Sequence, residues 1–367
     1  MVDSLRKDQL ERYARHLVLP GVGEEGQSLM LDSSVLVVGA GGLGSPALMY
    51  LAAAGIGSIG IMDHDIVSSS NLQRQIIHSS TTLGHSKVSS AASWIRNLNK
   101  DVNIVEIPEK LTQHNSLGIF EDFDVIIDGT DNFETRYLIS DSSEISGKPW
   151  VFGSIHRFEG QVSTFNVENG PNYRDLFPET PPPELAPNCS EAGVLGVLPG
   201  IVGTIQATEA IKLILGIGDI LSGKLLTIDA LTMKMKILSF SKNNNRIRAS
   251  KLDKTTESTF SEILPVEFFE RKASGWEPYL LDVRRSHEEA ISSISGTDSR
   301  IMHLEVPSRL RELPKEKEIV IYCRSGQRSA LVARLLSESG WSPDRVFNLV
   351  GGINRWSEEV DHSINKY

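Results

Sequence analysis

The sequence predicts an α/β fold made of two units, a larger one followed by a smaller one. Three observations support this prediction. An apolar run, Val35–Val38, breaks into clustered glycines, which is typical of a buried parallel strand that ends in a tight turn. A second strand, predicted over Glu318–Tyr322, leads directly into another distinctive loop. The length of 367 residues exceeds one average core, so we expect two or three domains.

Composition narrows the classes of function. A net charge of −10 and a pI near 5.5 argue against a nucleic-acid-binding protein, which needs a basic face. The polar residues Met1–Asp8 lack the apolar core of a secretory signal, so we expect a cytoplasmic protein. The stretch Leu195–Gly216 is apolar, but Gln206, Glu209 and Lys212 interrupt it. We therefore interpret it as a buried core helix rather than a membrane span.

The first predicted element is a helix over Leu10–Leu17, where the apolar residues have helical spacing. On spacing alone, Arg12 and Arg15 belong to a solvated face of this helix. The strand over Val35–Val38 comes next.

The glycines Gly39, Gly41 and Gly44 fit the G-x-G-x-x-G turn, which lets backbone amides and a helix N-terminus approach a phosphate. A helix over Ser45–Ala54 and a strand over Ser58–Met62 follow. That strand ends in Asp63, where a nucleotide-binding βαβ unit places the acid that accepts hydrogen bonds from ribose hydroxyls. The two halves of the nucleotide-binding pattern therefore agree. The alternative for Asp63 is an ordinary turn residue at the strand end, and Asp65 is a nearby competitor for the role.

A polar loop, Ser68–Gln75, lacks the periodicity of a helix or a strand and contains Arg74. Lys87 then opens an amphipathic helix that runs to Asn99. A hydride-transfer cofactor has little use for these two cations, whereas a triphosphate needs its charge neutralised during attack at the α-phosphate. The cations therefore favour ATP over NAD.

Strands over Asn103–Ile107 and Phe123–Asp128 extend the predicted sheet. Ligands of open α/β sheets bind at the carboxyl ends of strands, so Asp128 and Asp131 are candidate oxygen ligands for Mg²⁺. Asp131 lies beyond the strand and is freer to turn inward. The alternative is a turn followed by a helix that begins at Phe133, with Asn132 as its N-cap.

Two short strands over 150–166 precede a Pro-rich and acidic loop, Asn172–Asn188, which cannot form a helix or a ladder. Cys189 ends this loop, an unusual place for a merely structural thiol, although free cysteine is often a packed core residue. The core helix and strands over 224–228 and 233–240 complete the first unit. Since the two cysteines lie far apart in the sequence, a disulfide framework is improbable.

A charged, Asn-rich stretch over 241–256 has the composition of an interdomain linker. The predicted domains are residues 1–242 and 258–367, joined by a linker over 243–257. In the second domain Cys323 follows a strand directly, and its loop leads into a helix over Ala330–Glu338. A thiol in a ring of amides beside Arg324 and Arg328 has the features that hold an anionic sulfur. The alternative for Cys323 is a buried strand-end cysteine.

Taken together, these motifs resemble those of the MoeB/MoeZ/ThiF family, relatives of ubiquitin-activating enzymes, fused to one rhodanese domain. The resemblance implies a Rossmann-like ThiF/MoeB nucleotide-binding domain followed by a small α/β rhodanese domain. It covers nearly the whole chain and rests on Gly39–Gly44, Asp63, Ser70–Gln75, Lys87, Asp131-Asn132, Asp282-Val283-Arg284 and Cys323–Ser329.

The resemblance also implies the roles of individual residues. ATP would be bound by residues from the glycine turn and the strand ends, namely Gly39, Gly41, Gly42, Asp63, Ser70, Asn71, Arg74, Lys87, Asp131 and Asn132. Asp131 would also hold Mg²⁺. Arg15 matches an arginine that reaches the nucleotide of the second protomer, which implies a homodimer. Cys189 matches the thiol of sulfur transfer or thioester formation. Cys323 matches the persulfide carrier, in a loop made of Cys323, Arg324, Ser325, Gly326, Gln327, Arg328 and Ser329.

The chain departs from the family in two places. Many relatives carry two C-x-x-C pairs for a structural zinc, but the matching positions of the first pair are Asn172 and Asp175 here. A tetrahedral thiolate site cannot be built from these residues, so we expect no zinc, as in the MoeZ-like branch. Glu289–Gly296 stands where rhodaneses usually have Gly-His-Ile-Pro-Gly. This departure makes the preference for a sulfur donor harder to infer.

The function implied is adenylation of the C-terminal glycine of a ubiquitin-like sulfur-carrier protein, followed by sulfur transfer from the Cys323 persulfide. The donor would be thiosulfate or a cysteine desulfurase, and the sulfur would go to molybdopterin, thiamin, cysteine or tRNA. Arg74, Lys87 and Arg15 would stabilise phosphate charge. Two alternatives remain open: an NAD-dependent oxidoreductase, which the glycines and Asp63 would suit, and a non-catalytic scaffold that binds the carrier.

Overall fold

The structure is a computed structural model that describes residues 5–179, 193–252 and 260–364. The chain divides into two compact units, Met1–Leu252 and Asp253–Tyr367. Each unit contains one sheet, and the α/β class predicted from the sequence is confirmed in both. Cys189 lies outside the described residues.

The first unit is built on an eight-stranded sheet with the order β3-β2-β1-β4-β5-β6-β7-β8. Its strands are β1 (Ser34–Val38), β2 (Ser58–Met62), β3 (Asn103–Ile107), β4 (Val125–Asp128), β5 (Trp150–His156), β6 (Glu159–Phe165), β7 (Lys224–Asp229) and β8 (Lys234–Ser239). The strands from β3 to β5 are parallel, and β5 to β8 pair antiparallel. The glycine turn therefore lies at the carboxyl end of a central strand.

The central strand β1 is apolar on both faces because both faces are covered. Val35 and Val37 pack into one hydrophobic cluster, and Leu36 and Val38 pack into a second cluster on the opposite side. Successive side chains of a strand point to opposite faces, so a strand buried on both sides needs a continuous apolar run. This is the pattern from which the strand was predicted.

The helices of the first unit flank this sheet. They are α1 (Lys7–Arg12), α2 (Ala14–Leu17), α3 (Gly23–Asp32), α4 (Gly44–Ala54), α5 (Lys87–Leu98), α6 (Ser116–Glu121), α7 (Phe133–Ser146), α8 (Tyr173–Leu176) and α9 (Leu198–Leu215). The single helix predicted over Leu10–Leu17 is wrong, because Tyr13 separates α1 from α2 with ψ of 11°. The Tyr13 ring is buried, and its hydroxyl accepts a hydrogen bond from Asn99 at 2.9 Å. This tertiary contact ends the helix where spacing alone predicts continuation.

The helix α9 is long and apolar enough to cross a membrane by length and composition, the one such helix among the described residues. Its polar side chains have specific partners inside the first unit. Gln206 donates to the Asp128 carbonyl at 2.7 Å, and Glu209 accepts from the Leu221 amide at 2.8 Å. Both side chains are buried. These contacts are those of a core helix packed on a sheet, as expected from the sequence.

The segment after β8 is held to the first unit by an ion-pair cluster. Arg246 donates to Asp175 at 2.9 Å and to Glu144 at 2.5 Å, and Arg248 donates to Glu144 at 2.8 Å. Attraction to Arg246 contributes to pKa values of Glu144 and Asp175 below their usual range. Asn172 caps α8 and is buried, with its side-chain oxygen accepting from Trp150 Nε1 at 3.0 Å. Asn172 and Asp175, the two positions where zinc-bearing relatives have cysteine, thus form hydrogen bonds, and Asp175 also forms an ion pair.

The second unit has a five-stranded parallel sheet with the order β11-β10-β12-β13-β9. Its strands are β9 (Ser261–Ile263), β10 (Tyr279–Asp282), β11 (Ser299–Arg300), β12 (Ile319–Tyr322) and β13 (Val346–Leu349). Its helices are α10 (Pro265–Ala273), α11 (Ser286–Ile291), α12 (Val306–Arg309), α13 (Gln327–Glu338) and α14 (Gly352–Glu359). Helix α13 begins three residues earlier than predicted, so Gln327, Arg328 and Ser329 form its first turn rather than a loop.

Candidate active sites

The glycine turn after β1 is packed tightly against the end of β4. Gly39 has φ of +97°, a conformation that L side chains rarely adopt. A Cβ on Gly39 would lie 2.8 Å from the Gly129 carbonyl oxygen, and a Cβ on Gly129 would lie 2.5 Å from the Gly39 carbonyl oxygen. A Cβ on Gly44 would lie 1.9 Å from that same Gly39 oxygen. The backbones that form this floor can approach only because side chains are missing.

Asp63 fastens the end of β2 to the glycine turn. Its Oδ2 accepts a hydrogen bond from the Ala40 amide at 2.8 Å, and its Oδ1 accepts from the Asp65 amide at 2.9 Å. Each carboxylate oxygen has a second lone pair, so the group can still accept from a ribose hydroxyl. Asp63 thus positions the turn in addition to any contact with a ligand.

His78, which no motif in the sequence indicates, supports the same turn. Its Nε2 lies 2.9 Å from the Ala40 carbonyl oxygen, and its Nδ1 lies 2.9 Å from Ser90 Oγ. Since Nε2 must donate to the carbonyl, the neutral ring carries its proton on Nε2 and turns Nδ1 toward the serine oxygen. Burial lowers the pKa of His78 from its ordinary value of 6.5. No residue spacing could have linked this histidine to Ala40, because the contact spans 38 positions.

A cleft at the carboxyl ends of the strands brings many of the predicted ATP-site residues together. The lining includes Gly39, Gly41, Gly42, Asp63, Arg74, Lys87, Asp131 and Asn132. The arrangement combines backbone amides, carboxylates and four lysine or arginine side chains around one space, since Lys110 and Arg136 also line it. Such a combination can hold a polyphosphate and its counter-ion.

The two predicted cations of the cleft already have partners. Lys87 Nζ lies 2.8 Å from Asp65 Oδ2, and its side chain is only 7% exposed. Arg74 donates to the Ser70 carbonyl at 3.1 Å. Asp65 is therefore the residue that holds Lys87, whereas Asp63 holds the turn. The sequence alone could not separate these two acids.

Ser70 and Asn71 lie just outside this cleft lining, in a short 3₁₀ turn over Ser69–Asn71. Asn71 Oδ1 accepts from the Ser68 amide at 3.1 Å, and the Ser70 and Ser68 hydroxyl oxygens are 3.0 Å apart. Arg15 is exposed on α2 and is also absent from the cleft lining. None of these three predicted residues lines the cleft of its own chain. Ser70 is linked to the cleft through Arg74, which donates to its carbonyl.

Asp131 and Asn132 follow β4 at the mouth of the cleft. Asp131 is exposed, while the Asn132 side chain accepts from the Thr135 amide at 2.8 Å and so caps α7. Asp131 is thus the freer carboxylate and fits Mg²⁺, which prefers hard oxygen ligands and keeps several waters. The ligand atoms of Asp63, His64 and Asp65 also cluster within 4.8 Å. Backbone amides donate to Asp63, and Lys87 pairs with Asp65, so the carboxylates of that cluster already have partners.

Asp128 and Arg136 hold the loop that carries Asp131. Asp128 is fully buried and accepts from the Thr130 amide at 2.9 Å and the Thr130 hydroxyl at 2.6 Å. Arg136 donates to the Thr130 carbonyl at 3.2 Å and lies 3.4 Å from Asp128 Oδ2. Burial raises the pKa of Asp128, and Arg136 opposes that rise. Arg136 was not predicted, although its place four residues after the N-cap puts it on the first turns of α7, beside the strand end.

The second candidate site surrounds Cys323 at the end of β12. The Cys323 sulfur is buried and accepts from the Gly326 amide at 3.1 Å and from the Ser329 hydroxyl at 3.4 Å. The start of α14 also binds this loop, because the Ile353 amide donates to the Cys323 carbonyl at 2.8 Å. The predicted ring of donors around the thiol is therefore formed by α13 and its N-cap.

Arg328, one of the two arginines predicted beside this thiol, has a carboxylate partner. Its guanidinium forms a bidentate pair with Glu288, with both distances at 2.7 Å. Arg324 is exposed in the loop. A second, fully buried pair joins Arg284 to Asp282 at 2.7 Å after β10. The sequence could not predict the partner of Arg328, because Glu288 lies 40 positions away.

Comparisons with known proteins agree with both halves of this description. The model of the ThiF family matches residues 13–249, and that of the rhodanese-like domain matches residues 266–359. A probable adenylyltransferase/sulfurtransferase MoeZ of Mycobacterium tuberculosis is 40% identical over 99% of this chain and 97% of that protein. The adenylyltransferase and sulfurtransferase MOCS3 of Arabidopsis thaliana is 39% identical over 99% of this chain and 86% of its own.

Two further comparisons concern the first unit. A SAMP-activating enzyme E1 of Haloferax volcanii is 48% identical over 66% of this chain and 90% of that protein. The crystal structure of Escherichia coli MccB with MccA-N7isoASN superposes with a TM-score of 0.58 at 16% identity, over 66% of this chain and 75% of that one. At this identity the structural likeness shows the fold alone.

Proposed function

The chain belongs to the ThiF family, and we propose that it is an adenylyltransferase and sulfurtransferase for a ubiquitin-like sulfur-carrier protein. The single observation that carries this proposal is the cleft in which Arg74, Lys87 and Asp131 face the glycine turn. The same chain carries Cys323 in a ring of hydrogen-bond donors. A phosphate site and a sulfur site on one polypeptide fit a reaction that activates a carboxylate and then delivers sulfur to it.

In the first step, the C-terminal glycine carboxylate of the carrier attacks the α-phosphate of ATP. The products are an acyl-adenylate and pyrophosphate. No general base is required, because a carboxylate is already a nucleophile. The protein positions the two reactants and stabilises the charge on the phosphates. Lys87 and Arg74 donate to phosphate oxygens, and the backbone amides of the glycine turn line the floor of the cleft. Mg²⁺, when bound at Asp131, neutralises further phosphate charge.

The transfer of Lys87 from Asp65 to a phosphate costs little, since one anion replaces another. Asp65 is about half exposed, so water can solvate its carboxylate once Lys87 has left it. Arg15 completes the site from a second copy of the chain, which makes the enzyme a homodimer. Arg15 is exposed and does not line the cleft of its own chain, which supports this arrangement.

In the second step, the Cys323 persulfide attacks the acyl-adenylate carbonyl and AMP leaves. The product is an acyl disulfide between the carrier and Cys323. Attack of the Cys189 thiolate on the Cys323 sulfur breaks the disulfide and releases the carrier thiocarboxylate. The two cysteines are left as a disulfide, which a cellular thiol must reduce before the next cycle.

The remaining features of the proposal follow from this chemistry. The enzyme acts in the cytoplasm, without a structural zinc, and the carrier decides whether sulfur goes to molybdopterin, thiamin, cysteine or tRNA. The hydrogen-bonded side chains of Asn172 and Asp175 support the proposal on zinc. No role in binding a nucleic acid or a membrane is proposed.

The test is ATP–pyrophosphate exchange that depends on a carrier protein with a Gly-Gly tail. We expect Lys87→Ala and Arg74→Ala each to lower the exchange rate at least about 100-fold, since each removes a cation from the developing charge. Cys323→Ala is the control, which should keep full exchange and lose thiocarboxylate formation. Exchange that survives both cation substitutions contradicts the assignment of the cleft to ATP.

A binding measurement separates this proposal from its alternatives. We expect Mg-ATP, and not NADH, to raise the melting temperature, because a ligand stabilises the folded state that binds it. Stabilisation by NADH alone would favour an oxidoreductase. Carrier binding without any exchange would favour a scaffold. For Cys189, an unchanged thiocarboxylate yield in Cys189→Ser would contradict its proposed role.

A further inference from the structure

The pair between Glu288 and Arg328 lies on the active loop of the second unit, and the sulfur-transfer step described above does not use it. Arg328 is in the first turn of α13, five positions after Cys323 and next to Ser329, which donates to the Cys323 sulfur. The Glu288 side chain is 8% exposed and that of Arg328 is 16% exposed. The two parallel hydrogen bonds of a bidentate pair fix the geometry of the guanidinium. Because the pair is largely removed from solvent, salt screens its attraction only weakly.

Glu288 is held in place independently of Arg328. Its Oε2 accepts from the Arg285 amide at 3.0 Å, which closes the capping box of α11. Its carbonyl accepts from Arg284 at 3.4 Å, and Arg284 is locked by the buried Asp282. The carboxylate is therefore a fixed negative charge that helix α11 presents to the active loop. A fixed partner both orients the Arg328 guanidinium and compensates its charge.

This compensation bears on which sulfur donor can approach Cys323. Thiosulfate is a small dianion, and the Cys323 thiolate attacks its outer sulfur, so that an S–S bond forms on Cys323 and sulfite leaves with the electron pair of the broken bond. An organic persulfide, R–S–SH, reacts in the same way and releases the thiolate R–S⁻. Both steps balance without an oxidant. They differ in the charge that the loop must accept, because only thiosulfate brings a dianion.

We propose that Glu288 is a specificity-determining residue for the sulfur donor. By occupying Arg328, it disfavours thiosulfate and leaves organic persulfides, such as cysteine persulfide, as the donor class that loads Cys323. The loop carries two arginines, and of these Arg328 has its charge compensated by a carboxylate from α11, whereas Arg324 is exposed. The inference rests on the proposed sulfurtransferase function and adds a donor class to it.

The experiment measures the rate at which the full-length protein forms the Cys323 persulfide, followed by mass spectrometry with sodium thiosulfate or cysteine persulfide as the donor. Wild type should react faster with cysteine persulfide. Glu288→Gln should raise the second-order rate with thiosulfate about tenfold, since it removes the negative charge paired with Arg328, and should change the rate with cysteine persulfide less than about twofold. The gain should vanish in the double variant E288Q/R328Q.

A matched control is the next residue of the same helix. Glu289 is also a glutamate, but it pairs with Arg300 at 2.5 Å instead of the active loop. Glu289→Gln makes the same change in net charge and should leave the ratio of the two rates within about twofold of wild type, because an exposed pair outside the loop has little effect. An equal gain from Glu289→Gln would overturn the proposal, since the effect would then be general electrostatics.

Other outcomes also decide the question. Equal losses with both donors in Glu288→Gln would show a merely structural role and overturn the proposal, as would a wild type that prefers thiosulfate. Glutamine keeps an oxygen for the Arg285 amide, so the helix cap is retained; should this variant not fold, Glu288→Met removes the charge at similar length. Failure of both donors to load wild-type Cys323 would instead contradict the proposed sulfurtransferase function itself.

Discussion

His78 illustrates how much of the nucleotide cleft depends on side chains that do not line it. The imidazole joins the Ala40 carbonyl to Ser90, so the glycine turn is tied to α5, the helix that begins with Lys87. The Ala40 amide is meanwhile tied to Asp63. Ala40 is thus held by buried polar groups at both its amide and its carbonyl. Such a floor keeps its shape before a ligand arrives, which is the property that electrostatic stabilisation requires.

The buried imidazole predicts a pH dependence of stability. The pKa of His78 is lowered in the folded protein, so the folded state prefers the neutral ring. Full stability is therefore present above the unfolded value of 6.5 and is lost as the pH falls below it, because the unfolded chain then binds the proton more tightly. We expect His78→Gln to lose stability at pH 8 and to flatten the decline in melting temperature between pH 7 and pH 5. A decline identical to that of wild type would contradict this assignment.

Single residues could be predicted from the sequence where chemistry and place in a motif agree. Asp63, Lys87 and Asp131 each stand at a strand end or a helix start, where ligands of parallel sheets bind. Arg136 and Glu288 could not be predicted in the same way. Their partners are fixed by the way separate segments pack, and only tertiary structure brings those segments together. The sequence indicates that a charge is present but not which other charge compensates it.

At the scale of elements, α4 and α9 meet through a glycine. A Cβ on Gly203 of α9 would lie 2.2 Å from the Leu43 carbonyl oxygen and 2.6 Å from Pro46 Cγ, at the start of α4. The helix that follows the nucleotide turn is therefore seated directly on the core helix. Any displacement of α9 would be transmitted to the N-terminus that faces the cleft.

Two glycines of α9 give a matched prediction. Gly203→Ala should destabilise the protein by about 3 kcal/mol, because the obstacle is backbone and one helix must move away from the other. Gly200→Ala meets no atom within 4 Å and should stabilise the same helix by about 0.5 kcal/mol, because alanine loses less backbone entropy. Urea unfolding of the two variants measures both values. Similar effects at the two positions would show that α4 and α9 do not meet as closely as described.

The types of the elements could be predicted from periodicity, whereas their ends could not. Helix α4 and strand β2 lie within one residue of their predicted bounds, since glycines mark their limits. Tyr13 breaks the first predicted helix because its ring is needed in the core. Helix α13 starts earlier than predicted because Gly326, with φ of +90°, already acts as its N-cap. Local sequence does not reveal such tertiary demands.

At the scale of the whole molecule, each unit has its own hydrophobic core. Among the described residues, two clusters lie in the first unit and two in the second, and none of the four contains residues of both. Each sheet presents one loop of backbone amides at the carboxyl end of a central strand. The ion-pair cluster around Arg246 then fixes the last segment of the first unit to α7 and α8.

The Arg246 cluster predicts a loss of stability that depends on pH. Arg246→Ala should cost about 3 kcal/mol at pH 7, because it leaves the buried Asp175 and Glu144 carboxylates without their shared partner. Their pKa values are lowered in the folded state, so this contribution is present above the unfolded values of 3.8 and 4.5 and disappears as the pH falls through the folded ones.

Chemical unfolding of the full chain at pH 7 and at a series of pH values below 3.8 measures this difference. Arg96→Ala is the control, since it removes an exposed pair with Glu106 and should cost about 0.5 kcal/mol or less. An Arg246→Ala variant no less stable than this control at pH 7 would contradict a structural role for the cluster.

The mutual contact of Gly39 and Gly129 has an evolutionary consequence. A side chain at either position would strike the carbonyl of the other, and the obstacle in each case is backbone. A substitution at one position cannot make room for a substitution at the other. Single substitutions and paired substitutions at these two positions are therefore both disfavoured. Both glycines should therefore stay unchanged as related sequences diverge. A library designed to change the nucleotide preference should hold both fixed and vary the residues behind them.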